Sequence, residues 1–431
     1  MPVARLPGMV AGPLSVVVVG CGTAGTVTAQ LLARQGHRVT LLEQAQEPSA
    51  TGAGIMLQHL GLQVLDRLGL LEQLRAVSRP VHRVDARTIG GRPVMTFGYA
   101  DVPGAEPALG VHRGALFTLL YAAVRSAPVS LETGVSVTGV HPHGSRLVID
   151  VQGRDGPVRW GEADLVVGAD GVRSPVRGSI GVTVRDAPYA YGALWAVVPD
   201  PEEVAADVLF QCFRDTRNYL GVLPTGRGQS SVFWSIRTRE VPGGIHRGPD
   251  AWRSEAAPFA GRYAPLLDGV ESLLPATYRD VVVRRPYRLV DGAEAAAGVA
   301  LVGDAAHAMS PQLGTGASLA LADGWTLAHC LQAEPDLGAA LAAYARIRRD
   351  HVRWYAWWTR LMMPAFQSEL VPLSWARDLL AEPMARRQVV RRQLVTTMMG
   401  HRTSPWSTWR LPGTPGTPGT PGTPGTPGTP A

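Results

Sequence analysis

The chain has 431 residues, of which 45% are hydrophobic and 18% charged, with a formal net charge of +6. That length exceeds the ~250–300 residues at which one core stops growing, so two or three domains are expected, and the composition excludes a largely disordered chain. All 41 basic residues are arginine, so a P-loop lysine, a Schiff-base lysine and a lysine general base are excluded.

The lead Met1–Pro13 shows no apolar core of a signal peptide, and no run reaches the roughly 18 apolar residues of a membrane helix. Ser15–Val19 is a β-branched apolar run suited to a strand buried on both faces. Gly20-Cys21-Gly22-Thr23-Ala24-Gly25 follows, then a helical stretch Thr26–Arg34 and a second strand Arg38–Glu43. A G-x-G-x-x-G between strand and helix makes a turn whose backbone approaches a pyrophosphate, with helix amides facing the phosphates. Glu43 lies 18 residues past Gly25, close to the ~20 expected of a ribose-binding acid. An acid there repels a 2′-phosphate, so FAD or NAD is expected rather than NADP as the tightly held nucleotide.

Helical spacing runs through Leu57–Leu74 and Leu116–Arg125. From about Tyr189 to Val290, short aromatic and β-branched runs between turns predict a mainly antiparallel sheet. Beyond Gly316 the pattern is helical over Leu319–Leu331, Leu337–Leu361 and Ser374–Met399. A sixfold Gly-Thr-Pro repeat closes the chain and is expected to be a disordered tail. Arg348 to Arg410 holds 11 arginines against four acids, so the basic excess lies almost wholly in this stretch. A solvated face is its first reading, with membrane-surface contact as the sharper one; no nucleic-acid motif accompanies it. Three scattered cysteines without metal-ligand spacing suit a reducing, cytoplasmic setting and no metal site.

Two further strand-to-turn junctions carry the chemistry. Asp164–Gly168 leads into Ala169-Asp170-Gly171-Val172-Arg173-Ser174-Pro175-Val176-Arg177. Later, Val299–Val302 leads into Gly303-Asp304-Ala305-Ala306-His307, followed by Pro311 and Gly314-Thr315-Gly316-Ala317. With the N-terminal fingerprint, this ordered trio resembles the group A flavin-dependent monooxygenases, the para-hydroxybenzoate hydroxylase-like family, over roughly residues 14 to 400.

The resemblance implies an α/β fold: a Rossmann-type, GR2-like FAD-binding domain, an inserted mainly antiparallel β-sheet substrate domain, and C-terminal helices. The corresponding boundaries are 14–80, 100–185 and 291–331 for the FAD domain, 81–99 and 186–290 for the substrate domain, 332–410 for the helical region, and 411–431 for the tail. It implies that Gly20, Gly22 and Gly25 cradle the pyrophosphate and Glu43 holds the adenosine ribose. Arg113 reaches the ribityl and phosphate region, and Val135 lies on a strand lending backbone contacts to adenine. Asp170 serves FAD and transient NAD(P)H handling, Asp304 contacts the ribityl chain and pyrophosphate, and Pro311 lies beside the isoalloxazine. Gly314, Thr315, Gly316 and Ala317 open a helix whose free amides face the anionic side of the reduced ring, a role independent of any family. His307 reads as structural in this pattern. Three positions depart from it: Gln44 stands where arginine is frequent, Ser318 where asparagine is common, and Ala295-Ala296-Ala297 where an aromatic residue is common.

The implied activity is monooxygenation: NAD(P)H reduces FAD, oxygen adds at flavin C4a, and the hydroperoxide hydroxylates or epoxidises a small aromatic or hydrophobic substrate. Tyr189, Tyr191, Trp195, Tyr219, Phe233 and Trp234 fall in the substrate sheet, and Tyr219 and Trp195 are the preferred pocket-lining candidates. No catalytic base is assigned. Trp354, Trp357, Trp358, Met362 and Met363 read first as core or lid, with a membrane-facing entrance for a greasy substrate as the sharper alternative. The remaining partners are oxygen and, for the chain itself, a monomeric or homodimeric state. A flavin-dependent reductase of the same fold and a non-catalytic FAD-binding homologue are the alternatives; a flavin halogenase would need a lysine relay that this chain lacks.

Overall fold

The computed structural model describes residues 12–49, 52–153, 155–290 and 297–413. The residues before Gly12 and the repeat beyond Gly413 lie outside the described residues.

The centre of the molecule is a six-stranded sheet. Five strands are parallel, in the order Gly298–Leu301, Leu165–Gly168, Ser15–Val19, Arg38–Glu43 and Val129–Thr133. Their middle members are apolar at nearly every position because both faces are covered, one by helices and the other chiefly by a three-stranded sheet of Val137–His143, Arg146–Gly153 and Gly156–Ala163. The helices Thr23–Arg34 and Gly316–Ala333 pack on one face, where Ala29, Leu32, Leu327 and Leu331 join Val16 and Val18 in one core. The sixth strand, Tyr287–Leu289, runs antiparallel along the edge. It therefore belongs to this sheet although it precedes the boundary expected at residue 290.

A seven-stranded sheet forms the second layer. Tyr191–Pro199, Gln229–Arg237, Tyr219–Gly226 and Val208–Phe213 pair antiparallel in that spatial order. The hairpin Arg83–Thr88 and Pro93–Gly98, from much earlier in the chain, adds to it through a parallel pairing with Val208–Phe213. Strict alternation divides the sheet. Leu194, Val222, Val232 and Trp234 face the helix Gly248–Ala260, while Trp195, Tyr219 and Phe233 face the opposite way, toward the long helix Leu337–Phe366.

Helix breaks account for the differences from the sequence pattern. Leu57–Leu74 is a strand end, a helix His59–Arg67 and a short helix Leu71–Arg75, because Gly69 takes φ +74° between them. Ser374–Met399 is two helices, Pro372–Ala385 and Gln388–Met398, parted at Arg386 and Arg387. The basic stretch is not uniformly solvated either, since Arg348 and Arg377 are buried.

Candidate active site

The carboxyl ends of all five parallel strands open onto one edge, the place where open α/β sheets receive ligands. Gly20, Glu43, Val135, the Ala169–Asp170 turn and the Gly303–Asp304 turn all lie at or just past those ends. Backbone bonds stitch them together: Gly20 N–H donates to Leu42, Ala169 to Val19, Val302 to Gly168 and Val135 to Glu43, at 2.7–3.0 Å. Val135 sits in the loop after Val129–Thr133 rather than on a strand, but that last bond holds it against the tip of the Glu43 strand.

Two glycines in the first turn are dictated by contact. Gly20 has φ +99°, and a Cβ there would lie 2.6 Å from the Ala169 carbonyl oxygen; a Cβ on Gly25 would lie 1.9 Å from the Gly20 oxygen. Ala24 in turn crowds Gly303, whose Cβ would approach it to 2.9 Å. The three motifs, separated by hundreds of residues in the chain, thus touch. At Gly22, by contrast, a Cβ would meet nothing within 4 Å, which leaves the helix start open to a phosphate. Glu43 is pinned by the amides of Cys21 and Ala45, at 2.8 and 2.9 Å. Burial, reinforced by Glu43, pushes the Cys21 thiol up to about 12, so it is inert as a nucleophile.

Unsatisfied polar atoms mark the same cleft. Asp170 accepts from the Val176 amide through Oδ2, while its buried Oδ1 has no partner. Burial raises its pKa above the usual carboxylate range. Asp304 is exposed to the opening yet surrounded by enough protein that desolvation raises its pKa, against the pull of His307 and Arg113. Arg113 begins the helix Arg113–Arg125, with its side chain lying along Gly52. Pro311 forms a short turn that ends at Gly314 in the left-handed region. Thr315 then opens the helix Gly316–Ala333 without a side-chain cap, so the first amides, through Ala317, remain available. Beside Gly314 lies Gln58, fully buried: its oxygen accepts from Tyr99 at 2.6 Å, and its Nε2 has no partner. Gln58 belongs to no motif, and no periodicity in the chain singles it out. An open glycine turn, an orphaned acceptor, an orphaned donor and an uncapped helix start fit a bound dinucleotide such as FAD.

A buried ionic chain supports this edge. Asp323 is fully buried; its Oδ2 accepts from the Gly303 amide at 2.7 Å and lies 2.5 Å from His307 Nε2, and its Oδ1 accepts from Arg348 Nε at 2.6 Å. Burial alone would raise the Asp323 pKa, but His307 and Arg348 hold it below the ordinary value. Arg348 next donates to His351 Nδ1, which leaves His351 Nε2 to donate to Gly400 at 2.7 Å. His307 therefore orients the Gly303–Asp304 turn rather than facing the cleft.

The inner face of the seven-stranded sheet is aromatic. Trp195 and Phe233 pack at 4.8 Å, Tyr219 meets Phe233 edge-on at 5.5 Å, and Phe213 stacks on Tyr219 at 4.9 Å. Gly221, opposite Phe233, is a necessity: a Cβ there would fall 1.9 Å from the ring. The Tyr219 hydroxyl lies beside Gln312, next to Pro311, and burial raises its pKa well above the usual phenol value. Gln312 donates to Gln367 at 2.7 Å, and Gln367 donates to Ser235 at 3.0 Å. Trp195 donates to Tyr278 at 3.2 Å. Gln312, Gln367 and Tyr278 escape sequence reasoning because nothing local relates them to the sheet. The other named aromatics divide. Trp234 packs on the far face against Phe259, Tyr191 bonds Glu369, and Tyr189 is pushed up to about 12 by burial and by Asp280.

Comparison with known proteins agrees with this geometry. A family described as an FAD binding domain matches residues 13–356. The chain is 30% identical over 431 residues to kynurenine 3-monooxygenase of Salinispora arenicola, covering 91% of this chain and 89% of the relative. It is 28% identical over 382 residues to the aurachin C monooxygenase/isomerase of Stigmatella aurantiaca, covering 87% and 96%. Among solved structures, the tetrameric 2-methyl-3-hydroxypyridine-5-carboxylic acid oxygenase superposes with a TM-score of 0.68 at 25% identity, covering 85% and 96% of the two chains. The FAD that this cleft fits, and the oxygen chemistry that goes with it, follow from descent as well as from shape: the chain belongs to the FAD-binding-domain family and, within it, to the group A flavin-dependent monooxygenases.

Proposed function

We propose that this FAD-dependent monooxygenase hydroxylates a flat, hydrophobic aromatic ring, of the phenol, quinolone or indole kind, held between the Trp195–Tyr219–Phe233 face and the Pro311 turn. The observation that carries the reading is the aromatic inner face of the substrate sheet, joined to the cofactor edge through Tyr219 and Gln312. When bound, FAD reduced by NAD(P)H activates oxygen and supplies one oxygen atom to the ring. The residues present do the rest. Gly20, Gly22 and Gly25 hold the pyrophosphate, Glu43 the adenosine ribose with Val135 beside it, and Arg113, Asp170 and Asp304 the phosphate and ribityl region. Gly314, Thr315, Gly316 and Ala317 direct free amides at the anionic edge of the ring, and Gln58 adds a buried donor next to them. Trp195 and Phe233 exclude water from the reacting face. The Tyr219 hydroxyl, kept protonated by burial and set by Gln312, donates to or accepts from a polar ring substituent.

Support for an aromatic substrate also comes from the similar solved oxygenase, whose own substrate is a hydroxypyridine acid. The reading further includes a division into FAD domain, inserted sheet and helical region close to the boundaries expected from sequence, action as a monomer or homodimer, cytoplasmic residence, and membrane-surface contact through the Arg-rich C-terminal region. The test is a panel of aromatic substrates with the flavin-loaded enzyme, following NAD(P)H and oxygen consumption and product mass. One ring should stimulate turnover and gain a single oxygen atom. Stimulated NAD(P)H oxidation with no oxygenated product from any ring would defeat the proposal.

A further inference from the structure

The helix Pro372–Ala385 is built inside out. Its solvent side carries Leu373, Trp375, Leu379, Leu380 and Met384, each between 37% and 72% exposed. The remaining exposed positions of the helix are proline and alanine, so the arc holds no charge, and its one side-chain hydrogen-bonding group is the Trp375 indole N–H. The polar residues point the other way. Arg377 is buried, donates to the carbonyls of Asp215 and Ala365, lies 4.7 Å over the Phe213 ring and pairs with Asp378. These anchors fix the rotation of the helix, which keeps the apolar arc outward. Trp357 and Leu361, half exposed on the preceding helix, add to the same apolar character. Immediately after the helix come Arg386 and Arg387, both exposed, and one turn on, Arg391 and Arg392.

An outward arc of this size marks an interaction surface. We propose that it seats in the headgroup–acyl boundary of an anionic lipid bilayer, the apolar side chains inserted and the arginines on the phosphates. The charge argues for lipid over a second copy of this chain. A pairing of two such helices brings positive charge from both copies to one interface and supplies no acid to offset it from the arc itself, whereas anionic headgroups neutralise the arginines. No helix among the described residues is long and apolar enough to cross a membrane, which fits a helix lying in the surface plane. The inference rests on the membrane contact proposed above but shifts its weight from the arginines to the apolar arc, which that reading did not include.

The test uses full-length, flavin-loaded protein with vesicles of phosphatidylcholine alone and of phosphatidylcholine mixed with phosphatidylglycerol. Wild type should co-sediment with the anionic vesicles, and brominated acyl chains should quench its tryptophan emission by an amount that Trp375→Phe removes. Trp375→Glu/Leu379→Glu should abolish sedimentation while flavin content and soluble turnover stay unchanged. Arg386→Glu/Arg387→Glu should lower the partition coefficient by at least about thirtyfold. If the arginine variant loses binding but the apolar variant does not, membrane contact survives and this inference falls. If wild type ignores both kinds of vesicle, both fall. A dimer that Leu379→Glu dissolves, without vesicle binding, would assign the arc to a second copy instead.

Discussion

The two halves of the site are made of different material. On the cofactor side the working groups are mostly backbone: bare amides at Gly22 and Thr315–Ala317, glycines at closest approach, and carboxylates at strand tips. On the side proposed for the substrate they are side chains, brought together from strands at Trp195, Tyr219 and Phe233, a turn at Gln312, and a helix at Gln367. A site built from backbone tolerates few residues at each position. A site built from side chains can be re-lined while the sheet beneath is kept, which is how one cofactor edge serves many substrates.

The sharpest way to break that contrast is at Gly25. A Cβ there overlaps the Gly20 oxygen, so Gly25→Val must part helix from strand. Affinity for FAD should fall by more than about a hundredfold, or ~2.7 kcal/mol, read by flavin absorbance after gel filtration, with the substrate sheet still folded by circular dichroism. A variant that stayed yellow would show that the turn does not hold the cofactor.

Next in size is Asp323. Asp323→Asn leaves the buried Arg348 without its charge partner, a loss of about 3–5 kcal/mol visible as a large fall in Tm. Because Asp323 also holds the Gly303 amide, the variant should weaken FAD binding too. Replacing Asp323 and Arg348 together with leucine and methionine should recover much of the Tm but not the flavin affinity, and this separates the stabilising role from the orienting one.

How far the sequence was legible follows the same division. That Gly20, Glu43, Asp170 and Asp304 would each stand at a strand end was legible because strand, turn and helix follow one another locally, so the spacing itself encodes the geometry. The Asp323–Arg348–His351 chain was not. Its members lie on two helices whose apolar spacing predicts only a core, and a buried arginine looks like any other in a chain rich in it. Gln58 and Tyr278 were hidden for the same reason, since each acts through a partner distant in the chain. The inner and outer faces of the substrate sheet become readable once register is known: Phe233 and Trp234 are neighbours in sequence and lie on opposite sides of the sheet.

That last pair offers a finer test. Tyr219→Phe removes one hydroxyl from the inner face, and kcat/KM for the true substrate should drop roughly tenfold, about 1.4 kcal/mol, with FAD affinity unchanged. Trp234→Phe, on the far face, should leave kcat/KM within about twofold while lowering Tm slightly. Equal kinetic effects from both would mean that the pocket does not lie on the inner face.

An effect confined to a narrow pH window, and absent at neutral pH, is expected in the C-terminal segment around His401 and Trp409. His59 and His401 lie 2.8 Å apart, and Trp409, which follows in that segment, stacks on His351 at 4.3 Å. Burial, with His59 beside it, lowers the His401 pKa from 6.5 to about 4, and burial lowers that of His59 as well. The fold therefore prefers both rings neutral. Their contribution is complete above pH 6.5 and is lost as pH falls toward 4, amounting to about 1–2 kcal/mol by pH 5. Asp323, held below the ordinary carboxylate value, loses its contribution only at lower pH, outside this window. Asp170 and Asp304, with raised values, oppose the trend, because the folded state takes up their protons first. The telling quantity is consequently the difference between wild type and His401→Gln in the dependence of Tm on pH. The variant should be flatter between pH 6.5 and 5 and parallel above pH 7. Identical slopes would show that the pair does not clamp the segment, and its closure would then rest on its other contacts, among them the packing of Trp409 and Leu411 and the bonds of Trp325 and Arg67 to the Pro412 carbonyl.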